Sequence, residues 1–177
     1  MGFLTLEWVG IAAALALSSP RFVTAQAGPA RPPRDPVKEA RIWRDLEAIA
    51  PGSLAAFKEA TGALDRNDLP VAVRRYAAVL EKAPDFTPAL RRSGGALVSL
   101  GREREGMGML ERAIALERSP ENLAALAFAL ASPEGNRERT AGELERALRL
   151  AEEALAGMPG DLDLLMMKAI VFAHLNR

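Results

Sequence analysis

SLAAFKEATGALDRNDLPVAVRRYAAVLEKAP (Ser53–Pro84) is followed at once by DFTPALRRSGGALVSLGREREGMGMLERAIALERSP (Asp85–Pro120), and the second stretch repeats the pattern of the first. Ala60 and Gly94, Ala63 and Leu97, Ala72 and Gly106, Tyr76 and Leu110, and Val79 and Ala113 all stand 34 residues apart. Small or apolar residues recurring at this one spacing are the mark of stacked helical hairpins. In the first unit, Leu54–Asp65 and Val71–Lys82 read as helices. Ala60 and Ala72 fall where the two helices must approach closely, and Tyr76 fills the gap toward the next hairpin. Pro84 ends the second helix, because proline lacks an amide hydrogen and clashes with the preceding turn. Asn67 and Gly101 suit the left-handed residue that follows a first helix.

The flanks extend the array. Asp35-Pro36 opens a helix running to about Ala50, with aspartate as cap and proline in the first turn. Val37, Ala40, Trp43, Leu46 and Ala50 share a face. Trp43 precedes Pro51 by eight residues, as Tyr76 precedes Pro84. This helix therefore reads as the second half of a degenerate repeat at the N-terminal end of the stack, with Trp43 in the core. Thr87-Pro88 and Ser119-Pro120 read as further cap-plus-proline starts. Leu123, Leu126, Ala127 and Leu130 mark the first helix of a third unit. Ser132–Arg139 is a polar insertion, expected as a solvated loop. Thr140-Ala141-Gly142-Glu143 is a capping box for the next helix. Ala147, Ala151 and Ala154 take its small positions.

The resulting expectation is an all-α protein, an antiparallel helix-hairpin solenoid with about three full repeats and a half repeat at each end, over residues 36–177. The pattern carried by Ala60, Asn67, Asp68, Ala72, Tyr76, Val79 and Pro84, then Gly94, Leu97, Gly101, Leu110 and Ala113, resembles the tetratricopeptide repeat family. Glu59, Ala63 and Gly106 depart from the residues usual in that family. The resemblance implies a right-handed superhelix that binds proteins or peptides without catalysis. Some family members clamp peptide C-termini with a set of lysines and asparagines, and that set is absent here.

Stacked hairpins curve and place their first helices on a concave wall. The repeat phase puts Phe57, Thr61 and Leu64, then Arg91, Gly95 and Val98, on that wall as candidate partner-binding residues. Gly95 would admit a peptide backbone at close range. Arg91 and Arg92 could fork onto a carboxylate, or they could form an ordinary solvated helix face, where arginine pairs contribute little.

Asp161 starts the last helix, LDLLMMKAIVFAHL, which is apolar almost all round. Met166, Met167, Ile170 and Phe172 cannot all be covered by one neighbouring hairpin. They are either a surface for a partner or for self-association, or the edge of a longer array. A structural or assembly component built through this helix is the alternative to a peptide-binding scaffold.

Residues 1–27 read as an export signal. Val9–Leu17 is a short apolar core, Ser18-Ser19-Pro20 breaks it, and Ala25-Gln26-Ala27 offers a small-x-small cleavage site. Glu7, with no Lys or Arg, precedes the core, so the rival readings are an uncleaved membrane anchor or a mispredicted start codon. Residues 28–35 form a proline-rich linker, extended and unfit for a helix interior. An exported setting, periplasmic or secreted, follows from the signal.

Composition bounds the chemistry. The 177 residues carry 23 Lys plus Arg and 23 Asp plus Glu, so the net charge is zero and the basic excess of a nucleic-acid binder is missing. There is no cysteine. That excludes disulfides, thiol catalysis, zinc–thiolate sites and lipoprotein attachment. His174 is the sole histidine, with no nucleophile elbow to serve. No cluster of metal-ligand spacing is present, and Gly94-Gly95 lacks the Gly-Lys-Ser/Thr of a phosphate loop. No catalytic residue, metal or cofactor is expected. The alternating charges of Glu103, Arg104 and Glu105, and of Glu143, Glu145 and Arg146, read as salt-bridging helix faces.

Overall fold

A computed structural model describes residues 34–132 and 138–175. The signal-like segment and all but the end of the proline-rich linker lie outside the described residues. Among the described residues there are eight helices and no strand. They are α1 (Pro36–Ile49), α2 (Leu54–Asp65), α3 (Leu69–Lys82), α4 (Thr87–Ser99), α5 (Glu103–Leu116), α6 (Pro120–Ala131), α7 (Ala141–Gly157) and α8 (Leu162–His174). α2 packs along α3, α4 along α5 and α6 along α7. The hairpins then join through α3 on α4 and α5 on α6. The fold is all-α, and its hairpins stack as a helical solenoid.

Local chemistry explains where the helices start and stop. The Asp35 carboxylate accepts from the Val37 and Lys38 amides, and Asp161 accepts from Leu164. Thr140 and Glu143 close a full capping box. Each satisfies amides that have no partner inside the helix. Asn67 and Gly101 adopt φ of 59° and 75°, the left-handed turn that carries the chain from first helix to second. α4 starts one residue earlier than the cap-plus-proline reading of Thr87-Pro88 implies. Phe86 takes the cap position, and the Thr87 hydroxyl donates instead to Glu117 at 2.6 Å. Ser119 does cap α6 by position, but its side chain makes no cap hydrogen bond.

The paired small positions set the hairpin spacing. A Cβ on Gly106 would lie 2.6 Å from the Gly94 carbonyl oxygen and 2.6 Å from Val98 Cγ2, so α4 and α5 touch backbone to backbone. Tyr76 and Leu110, equivalent in the repeat, are both fully buried. Phe57 meets Tyr76 and Phe86 edge to face, with ring centroids 5.6 and 5.5 Å apart. These rings centre the N-terminal part of the core, which also takes in Leu46 of α1 and its C-terminal cap residue Ala50. Leu123, Leu126, Ala147, Ala151 and Leu164 lie within the C-terminal part.

α1 has two different halves. Its C-terminal half, with Leu46 and Ala50, packs into the core, and Trp43 packs beside it with Lys58 Nζ 4.1 Å from its ring centroid. Its N-terminal half reaches across the stack. Glu39 pairs with Arg92 of α4, and Lys38 Nζ lies 2.9 Å from Glu121 of α6. Just ahead of α1, Arg34 Nη2 lies 2.7 Å from Asp65 at the end of α2.

Candidate binding groove

The first helices α2, α4 and α6 line a groove of about 430 Å³. Leu64, Arg91, Gly95 and Val98, four of the six wall positions read from the sequence, lie along it. Gly95 has open space where a Cβ would stand. Beyond it, Ala124, Ala125 and Phe128 of α6 continue the lining, with Met158 and Asp161 at the far end. The floor is therefore mostly small and apolar, with Arg34, Arg91, Arg92 and Glu121 toward α1 and Asp161 at the other end.

The other two expected wall residues lie inside the protein. Phe57 is wholly buried, held by its contacts with Tyr76 and Phe86, and is not open to a partner. Thr61 is 9% exposed and belongs to a polar network. Its hydroxyl lies 3.0 Å from the Tyr76 hydroxyl and accepts from Arg92 Nη1 at 2.9 Å. Arg92 continues to Glu39 and rests its guanidinium 5.0 Å from the Phe57 ring centroid. One buried arginine thus joins α1, α2 and α4, and through Thr61 it reaches Tyr76 of α3. Burial, only partly offset by Arg92 and Thr61, holds the Tyr76 phenol above its ordinary pKa.

Arg91 behaves differently from its neighbour. It is half-buried, and among the described residues its guanidinium donates only to the neutral Asn122 carboxamide, at 3.2 Å. Burial presses its pKa down, and Arg92 and Arg34 add to that. Glu121 and Glu117 oppose it. Asn122 is fixed in turn by donating to the Glu117 and Ala113 carbonyls, at 2.8 and 3.3 Å. The pair of arginines therefore divides: Arg92 is structural, and Arg91 is a held cation at the groove. Neither is the solvated face that the sequence left open.

A second, wider cleft of about 680 Å³ runs between α1 and the starts of α4 and α6. Lys38, Glu39, Ile42, Arg91 and Glu121 line it. Burial alone would raise the Glu121 carboxyl. The Lys38 ammonium, the helix backbone and Arg91 outweigh it and hold that carboxyl below its ordinary value.

The four residues singled out on the last helix also divide. Met166 and Ile170 are 61% and 57% exposed. Met167 is buried, and Phe172 packs half-buried on the C-terminal core. Leu162 and Leu165, not singled out from the sequence, join Met166 and Ile170 on the exposed side. His174 is exposed, with Nδ1 2.8 Å from the Ile170 carbonyl oxygen.

The sequence reading missed the α6 wall and the α1 end. α6 is apolar almost all round, so its periodicity marks no separate groove face. Glu39 and Lys38 look like any helix-surface charges. Among the described residues, no group of three or more His, Asp or Glu stands close enough to hold a metal ion, and no helix is long and apolar enough to cross a membrane. No protein-family model matches the chain, and no curated protein shows significant sequence similarity to it.

Proposed function

We propose that this chain is a tetratricopeptide-like, non-enzymatic binding scaffold that holds a peptide or protein segment against α2, α4 and α6. The observation that carries this reading is the groove itself. Its floor is made small by Gly95, Ala124 and Ala125, and the half-buried cation of Arg91 stands at one end. Small floor residues let an extended backbone approach, and repeat arrays use surfaces of this kind for recognition. The Cys-free composition and the signal-like residues 1–27 support an exported setting, periplasmic or secreted.

Site-specific photocross-linking in the producing cells tests the reading. A photoreactive residue at Ala125 is expected to capture a discrete partner, and the same residue at Gly108, which faces open space on α5, is not. Equal capture from both positions, or none from Ala125, would sink the proposal. The intact mass of the exported protein tests removal of residues 1–27.

A further inference from the structure

α4 and α8 are helices of equal length, 13 residues each, and their C-terminal caps, Leu100 and Leu175, stand 75 residues apart. In this register Ala169 and Ala173 take the places of Gly94 and Val98. On α4 that face is covered by an antiparallel second helix at backbone contact. A Cβ on Gly94 would lie 2.9 Å from the Gly106 carbonyl oxygen, and Val98 meets Gly106 just as closely. Leu90, the counterpart of Leu165, is only 2% exposed there. On α8 the same face is open among the described residues. Ala169 and Ala173 are exposed, flanked by Leu162 (73%), Leu165 (43%), Met166 (61%) and Ile170 (57%).

We propose that this face is covered by α8 of a second copy of the chain, in an antiparallel two-fold pair. At Gly94 and Val98 the fold shows what the Ala169 and Ala173 positions accept, a helix running the opposite way at close range. Leu162 and Met166, counterparts of Thr87 and Arg91, border that face and supply the large side chains. Pairing about a point between Met167 and Lys168 sets Leu162 against the partner's Ala173 and Met166 against the partner's Ala169. Large side chains then meet small ones, twice, as an isologous contact requires. The ends also match. The acidic start of the helix, Asp161 and Asp163, comes beside the partner's His174, and the helix dipoles oppose. This pairing is independent of what the groove binds.

The full chain has no cysteine, so a single introduced thiol reports on the contact. In the antiparallel pair, Ala169 and the partner's Ala169 are offset by about 4.5 Å along the axis, and the two Leu162 positions by about 16 Å. A disulfide needs Cα atoms within about 7 Å. Ala169→Cys should therefore form a disulfide dimer on mild oxidation, and Leu162→Cys should not. Sedimentation of the unmodified chain should show a dimer that Met166→Glu abolishes, with its far-UV circular dichroism unchanged. A monomeric wild type at all concentrations, a dimer that survives Met166→Glu, or cross-linking of Leu162→Cys as readily as Ala169→Cys would each overturn the proposal.

Discussion

Arg92 of α4 and Glu39 of α1 form an ion pair withdrawn from solvent, with side-chain exposures of 6% and 10%. Removing one member leaves the other charge buried without its partner, at a cost of about 3–5 kcal/mol. Arg92→Met or Glu39→Leu alone should therefore lower stability to urea by roughly that amount. The double variant should recover most of the loss, because no orphaned charge remains. Equilibrium unfolding of the four proteins measures both effects. A double variant no better than the singles would show that the pair supplies more than charge balance.

Close helix approach predicts a contrast between two glycines of α5. Gly106→Ala would drive a methyl into the backbone of α4 and should cost about 1–3 kcal/mol. Gly108 meets open space, so Gly108→Ala should stabilise the helix by up to about 1 kcal/mol. Thermal or urea unfolding of both variants gives the comparison. Opposite signs are the expected outcome.

The Lys38–Glu121 contact should make α1 sensitive to acid. The Glu121 carboxyl lies below its ordinary value of 4.5, so the stability it contributes is present above that value. It is lost as pH falls through the lower folded-state value. In a Trp8→Phe background, Trp43 is the remaining tryptophan and reports on α1. Its emission should shift as pH falls below the ordinary carboxyl value of 4.5, by the linkage just stated. Glu121→Gln should remove that part of the acid response.

Tyr76 predicts the opposite arm. Its phenol is held above the ordinary value of 10.0, mainly by burial. The neutral form is thus favoured in the folded chain. The associated stability is present below that ordinary value and lost as pH rises through the raised one. Tyr76→Phe should cost about 1 kcal/mol at neutral pH through the lost contact with Thr61. It should also flatten the alkaline decline that wild type shows in pH-resolved unfolding.

The hairpins were legible because they rest on local chemistry. Asn67 and Gly101 sit where a left-handed turn is needed, and Asp35, Thr140 and Asp161 sit where amides need acceptors. Tyr76 and Leu110, one repeat apart, are both fully buried, because helix phase alone turns them toward the core. The groove was only half legible. Leu64, Gly95 and Val98 follow from helix phase, but Phe57 turns inward because Tyr76 and Phe86 supply ring edges and faces for it. Long-range pairing was not legible at all. Nothing in the spacing of Glu39 and Arg92 distinguishes a buried pair from two solvated charges, since their proximity is made by the path of α1 over the stack.

That path changes how the molecule comes apart. In an ordinary array each unit touches only its neighbours, so an end can fray while the middle holds. Here Lys38 reaches Glu121 across 83 residues of chain, and Glu39 reaches Arg92 across 53. The first helix is fastened to the second and third hairpins, so peeling it away loosens the middle as well. Amide exchange should accordingly show α1, α2 and α4 opening as one cooperative block, with no gradient of protection running inward from the N-terminal end.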